Sequence, residues 1–233
     1  MRASIFLRSV VVLAAITLVA CSPDLTGPDI QANRAATIPV RNPVLFIHGW
    51  NSTGATWFTT IDKFKASGYT SAELYNWTYY SGQSNVTTAH QIAAKVDSIL
   101  AITGAQKVDL VTHSMGSISA RYYTKNLGGD AKVEALVSLG GTNHGTNTAW
   151  FCPQTSCVEM RPGSSFLNAL NKTDETAGAT RYATWRSPCD EVINPLSSPT
   201  LSGAVSNTVT ACMKHSQLHE DPTVYSQYEA FIQ

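Results

Sequence analysis

The chain has 233 residues, of which 43% are hydrophobic and 14% charged, with 16 basic residues balancing 16 acidic ones. That length is enough for one substantial core in one folded domain. Balanced charge gives no electrostatic reason to expect nucleic acid as a partner, and sparse charge suits an exported protein.

Residues 1–20 read as a signal peptide and are set aside from fold reasoning. Arg2 and Arg8 precede the apolar run Val10–Ala20, which is short for a membrane span. The run ends in Leu18-Val19-Ala20-Cys21. This resembles the lipobox of bacterial lipoproteins, which implies a lipidated Cys21 and the membrane as a partner through that anchor. An ordinary secretory signal, giving a freely secreted protein, is the alternative; it requires a small residue where Leu18 stands. Losing Arg2 and Arg8 leaves 14 basic against 16 acidic residues. The chain holds five cysteines, Cys21, Cys152, Cys157, Cys189 and Cys212. Lipidation of Cys21 leaves an even set for disulfides in an oxidising compartment. Their spacing contains no Cys-x-x-Cys pair, so no metal is expected. Residues 21–40 are rich in turn formers and poor in periodicity, so they read as a flexible tether, with the folded domain at 41–233.

Val44–Ile47 is a buried-strand run leading into His48-Gly49-Trp50. Trp57, Ile61 and Phe64 mark one face of a helix closed by Gly68. Leu74–Trp77 is a second strand candidate. Ala89, Ile92, Ala93, Val96, Ile99 and Leu100 give a strong helical period stopped by Gly104, with His90 as a surface or packing residue. Val108–Val111 is a third strand, followed by Thr112–Gly116 and a helical pattern through Ile118 and Tyr122. Gly128-Gly129 breaks that helix before the strand Val133–Leu139. Asn143–Gly178 is polar and reads as a long loop, a length usually tied to function; its 144–178 portion is expected to wall the substrate site. Ala179–Trp185 and Val205–Cys212 are weaker strands, and Pro222 opens a terminal helix. Alternating strands and helices indicate an α/β fold with about six mostly parallel strands and helices on both faces.

Strand, tight turn with a central serine, helix is the layout of a nucleophile elbow, here Thr112-His113-Ser114-Met115-Gly116. Gly116 meets the demand for a small residue after the serine, whereas Thr112 stands where the pattern has a second glycine. A serine hydroxyl attacks well only if a histidine takes its proton and an acid fixes that histidine's tautomer. With the order serine, acid, histidine, the base must follow the last strand, which leaves His215 or His219. His144 precedes every suitable acid. Asp190 is favoured as the acid because it comes first after Ala179–Trp185; Glu191 is the alternative, and a turn role after Pro188 competes for Asp190. The backbone N–H groups of Trp50 and Met115 are the expected oxyanion donors, with His48 a structural neighbour. Bringing Asp190 to His215 also brings together Cys189 and Cys212, so these are expected to pair. Cys152 and Cys157 then close a small loop, and cross-pairings between the two sets remain open.

Five segments carry a family resemblance: NPVLFIHGW (Asn42–Trp50), KVDLVTHSMG (Lys107–Gly116), VSLGGTNHG (Val137–Gly145), PCDEVINP (Pro188–Pro195) and HSQLHEDPTVYSQ (His215–Gln227). In this order they resemble the small secreted bacterial class 2 lipases of the α/β-hydrolase superfamily. The resemblance implies a minimal α/β-hydrolase fold, with Ser114 as nucleophile, Asp190 as acid, His215 rather than His219 as base, and Trp50 and Met115 as oxyanion donors. It points to a serine ester hydrolase, a triacylglycerol lipase or carboxylesterase, acting on lipid or other apolar esters. Separately from the resemblance, no cofactor is expected, and the chain is expected as a monomer. An acyltransferase of the same fold and an inactive lipid-anchored binding protein are the alternatives.

Overall fold

The computed structural model describes residues 41–233. The expected signal peptide, the lipidation of Cys21 and the tether lie outside the described residues.

Six strands form one sheet: β1 (Val44–Ile47), β2 (Leu74–Asn76), β3 (Val108–His113), β4 (Val133–Leu139), β5 (Arg181–Arg186) and β6 (Ser206–Val209). Their order is β2-β1-β3-β4-β5-β6, and all five pairings are parallel. The helices are α1 (Phe58–Ala66), α2 (Asn85–Thr103), α3 (Gly116–Asn126), α4 (Thr155–Met160), α5 (Ser165–Leu170) and α6 (Pro222–Ile232). Strand side chains alternate between two faces, and each face has its own core. Leu45, Ile47, Leu110 and Leu136 pack with Ile92 and Val96 of α2 and Ile118 and Tyr123 of α3. Val44, Phe46, Val111 and Val137 pack with Phe64 of α1 and Val224, Tyr228 and Ile232 of α6. Every residue of β3 is buried, as a central strand covered on both sides must be.

The helix ends follow their local chemistry. Ser84 caps α2 by accepting from Val86 N, and Gly104 ends it in the left-handed conformation. Asp221 caps α6 by accepting from Thr223 and Val224, with Pro222 in the first turn.

One expectation is corrected. Asn143–Gly178 is not an unstructured loop: it holds a 3-10 turn at Asn147–Phe151 and the short helices α4 and α5. Six-residue helices do not stand alone in water, and these are held by distant partners. Glu159 accepts from Ser84 Oγ at 2.5 Å and from Asn85 N at 2.6 Å. Lys125 Nζ donates to the carbonyls of Leu170 and Lys172, each at 2.8 Å, and of Asp174 at 2.5 Å. The buried Arg121 donates to the Glu175 carbonyl at 2.9 Å through Nη2.

Candidate active site

Ser114 lies between the end of β3 and the start of α3 with φ at +56°, the left-handed region that a non-glycine residue seldom occupies. Such a turn is kept only where its surroundings over-determine it. Two backbone approaches do so here. A Cβ on Gly116 would lie 2.6 Å from the His48 carbonyl oxygen, and one on Gly49 would lie 2.8 Å from Ser114 Cβ. The loop after β1 is therefore pressed against the serine, and glycine is required on both sides of the contact.

Thr112, the departure from the elbow pattern, is accommodated by hydrogen bonding. Its Oγ1 donates to the Val137 carbonyl at 2.7 Å and lies 2.8 Å from Ser117 Oγ. Ser138 Oγ joins Ser117 Oγ at 3.0 Å, and Asn143 Nδ2 donates to Ser138 Oγ at 3.2 Å. A buried hydroxyl that finds partners in this way escapes the penalty of an unpaired polar group.

Asp190 and His215 meet as expected. His215 Nδ1 lies 2.7 Å from Asp190 Oδ2, and the two residues are 7% and 8% exposed. The carboxylate accepts, so Nδ1 carries the proton and Nε2 is left as the acceptor. Nε2 is buried and has no hydrogen-bond partner among the described residues. Asp190 is also the turn former that competed with this role: its Oδ1 accepts from Val192 N and Ile193 N, each at 2.9 Å. One carboxylate makes both sets of contacts. Glu191 stands on the main chain instead, its Oε2 accepting from His215 N at 3.0 Å.

The other histidines differ in their surroundings, and of His48, His90, His144 and His219 only His219 also lines the cavity that holds Ser114 and His215. His219 Nε2 meets Thr56 Oγ1 at 3.0 Å, and Thr60 Oγ1 donates to its carbonyl at 2.6 Å. Burial lowers its pKa. His48 accepts from Tyr79 N at Nε2 (3.3 Å), so its Nδ1–H donates to the Gly49 carbonyl at 2.8 Å. Burial holds this ring neutral, and it fixes the loop bearing Trp50. His144 pairs with Glu175 at 2.7 Å and lies outside the cavity lining. His90 is exposed.

Ser114, His215, Trp50 and Gly49 line one cavity of about 460 Å³, within the usual range for small-molecule sites. Much of the rest of its wall comes from the 143–178 segment, including Ala149, Phe151, Cys152, Cys157 and Met160. Cys152–Cys157 and Cys189–Cys212 are disulfides, as expected from their positions. Trp50 Nε1 donates to Gln154 Oε1 at 2.6 Å, joining the loop after β1 to this wall. The N–H groups of Trp50 and Met115 have no hydrogen-bond acceptor among the described residues. Among the described residues no cluster suited to a metal ion is present.

Three contributors were not singled out from the sequence: His113, Thr56 and Gly140. His113 had one usable signal, since alternation places it on the face of Val111, which the C-terminal segment covers. A Cβ on Gly140 would lie 3.0 Å from His215 Cε1, so that glycine leaves room for the imidazole. Nothing in the spacing of the chain marks Thr56 or Gly140.

A parallel sheet with helices on both faces, and a serine turned left-handed between β3 and α3, defines an α/β-hydrolase. A family profile described as Lipase (class 2) matches residues 41–229, and the chain belongs to this family. Over 147 residues it is 26% identical to a triacylglycerol lipase of Vibrio cholerae, a match covering 61% of this chain and 46% of that relative's length. Among solved structures, the mature lipase BlEst2 of Bacillus licheniformis superposes with a TM-score of 0.74 at 16% identity, covering 84% of this chain and 93% of that one. Lipase B of Aspergillus fumigatus superposes with a TM-score of 0.69 at 17% identity, covering 79% of this chain and 50% of that one.

Proposed function

We propose that the protein is a serine ester hydrolase of lipid or other apolar esters, working through an acyl-enzyme on Ser114. The observation that carries the reading is the 2.7 Å pairing of Asp190 with His215 Nδ1, on the same cavity as a serine held in the left-handed region.

In this reading Ser114 Oγ attacks the ester carbonyl carbon while its proton passes to His215 Nε2. The carbonyl π electrons move to oxygen, and the N–H groups of Trp50 and Met115 donate to that oxyanion. Asp190 stabilises the imidazolium and keeps its orientation. Collapse of the intermediate breaks the bond to the alcohol, which leaves with the proton from His215. A water molecule then repeats the sequence on the acyl-enzyme, releasing the acid and restoring Ser114. No hydrogen bond joins Ser114 Oγ to His215 Nε2 among the described residues; such contacts often tighten only with substrate bound. The wall of Ala149, Cys152, Cys157 and Met160 favours an apolar acyl group, and Phe151 at the same cavity is 91% exposed.

The two disulfides support an oxidising, extracytoplasmic location. We extend the proposal to a lipid anchor on Cys21, checked by the intact mass of membrane-fraction protein; an unmodified N-terminus downstream of Cys21 refutes it.

The enzymatic reading is tested with a fluorophosphonate probe followed by mass mapping, alongside hydrolysis of p-nitrophenyl esters. Ser114 is expected to carry the label, and Ser114→Ala and His215→Ala to lose hydrolysis while His219→Ala keeps most of it. Folded protein that takes no label, or an active His215→Ala with an inactive His219→Ala, overturns the assignment.

A further inference from the structure

We propose that His113 and Glu191 are positioning residues that clamp the main chain of His215 from both sides. The inference rests on the reading of His215 as the base. Glu191 Oε2 accepts from His215 N at 3.0 Å, and His113 Nε2 donates to the His215 carbonyl at 3.1 Å.

The two ends of the clamp are tied to the other members of the site. Glu191 directly follows Asp190, so one dipeptide holds both the imidazole and the peptide that carries it. His113 directly precedes Ser114, so the ring N–H that fixes the His215 carbonyl belongs to the residue next to the expected nucleophile. Serine, acid and base are thereby registered through neighbouring residues rather than through the bulk of the fold. Asp190 fixes the ring torsions of His215; the clamp fixes the backbone from which those torsions start. A side chain positioned at both levels is what a working constellation requires.

The protonation states agree with this arrangement. A carbonyl only accepts, so His113 carries its proton on Nε2. Burial, reinforced by the nearby His215 and His219, holds the His113 imidazole well below the usual histidine range. Its ring lies 4.5 Å from that of His215 and 4.7 Å from that of His219. A neutral ring in van der Waals reach of His215 adds no repulsion when His215 takes a proton. On the other side, a Glu191 carboxylate oxygen accepts from the His215 main-chain N–H.

The test compares Glu191→Ala, Glu191→Gln, His113→Leu and His113→Gln in steady-state hydrolysis of p-nitrophenyl butyrate, with fluorophosphonate labelling of Ser114 run in parallel. Small displacements of a catalytic group are costly, so Glu191→Ala and His113→Leu are expected to lower kcat on the order of 10-fold with KM unchanged. The glutamine variants are expected to recover most of that loss, because an amide oxygen still accepts and an amide nitrogen still donates. Wild-type kcat in Glu191→Ala and His113→Leu overturns the proposal, as does a loss that the glutamine variants share or an effect on KM alone. If Ser114 of the wild type takes no label, the enzymatic reading has failed instead; a labelled Ser114 with unaffected variants sinks the clamp alone.

Discussion

The Cys189–Cys212 disulfide ties the loop bearing Asp190 to the loop bearing His215, so its removal tests stability and catalytic register together. The sequence separation is 23. In the chain-entropy account a loop of that size stabilises by about 3 kcal/mol at 25 °C. The Cys152–Cys157 separation is 5, and the same relation gives about 2 kcal/mol. For a domain of this size each kcal/mol corresponds to roughly 2–4 °C in Tm, so Cys189→Ala/Cys212→Ala is expected to melt roughly 6–12 °C lower. Other ties between the same loops remain. Ser187 Oγ donates to the Met213 carbonyl at 2.6 Å and accepts from Met213 N at 3.0 Å. The fold is therefore expected to persist at 25 °C while kcat falls on the order of 10-fold through loosened Asp190–His215 geometry. Cys152→Ala/Cys157→Ala, which lies in the cavity wall, is expected to alter ester preference with a smaller fall in Tm. Circular dichroism melts and kinetics on two ester lengths read both effects. Wild-type kcat in folded Cys189→Ala/Cys212→Ala refutes the register argument, since the Ser187 hydrogen bonds and the Asp190–His215 pairing would then suffice.

Burial raises the pKa of Asp109 in β3 to about 7, from 3.8 in an exposed chain. The folded state thus binds more protons across that window, and the stabilisation present below pH 3.8 is lost as pH rises through about 7. Each unit is about 1.4 kcal/mol, so the swing is several kcal/mol. Asp109→Asn keeps an acceptor for Ala135 N and is expected to flatten the slope; parallel urea stability profiles for both proteins between pH 5 and 8 would contradict this. Ala149→Phe is expected to fill the cavity and shift preference toward short acyl chains while acetate esters are still cleaved, and an unchanged chain-length profile would remove Ala149 from the acyl wall. Thr112→Val deletes the hydroxyl between Val137 and Ser117 and is expected to cost about 1–3 kcal/mol in denaturant titration; an unaltered midpoint would mean the network contributes nothing.

The sheet was legible because its strands are local runs bounded by helices with a clear period. Val133–Leu139 is observed with the expected bounds, and the weaker runs only shifted: Ala179–Trp185 becomes Arg181–Arg186, and Val205–Cys212 shortens to Ser206–Val209. The meeting of Asp190 with His215 was legible in part: the order serine, acid, histidine narrowed the histidine to His215 or His219, and the family resemblance pointed to His215. What stayed hidden depends on residues far apart. The helices α4 and α5 are held through Glu159 to Ser84, Gln154 to Trp50 and Lys125 to three carbonyls, contacts that leave no periodic trace. Glu191 and His113 act on the backbone of His215, and main-chain contacts place no demand on spacing that a single sequence displays.

The convergence of these distant residues follows from the sheet being parallel. Every strand then ends on the same edge, and the loops that leave those ends share one surface. Gly49 and Trp50 follow β1, Ser114 and Met115 follow β3, Gly140 and the cavity wall follow β4, Asp190 and Glu191 follow β5, and His215 follows β6. The crowding that results explains the composition of this edge. Three loops meet around Ser114 and His215 closely enough that a Cβ on Gly49, Gly116 or Gly140 would come within 3.0 Å of a neighbour. Thr112 lies one turn of the pleat below that crowding, where its hydroxyl finds Val137 and Ser117 instead of a clash. The elbow's small-residue rule is thus enforced at Gly116 by the close approach of the β1 loop backbone, whereas at Thr112 a larger residue is held by its hydroxyl's bonds to Val137 and Ser117.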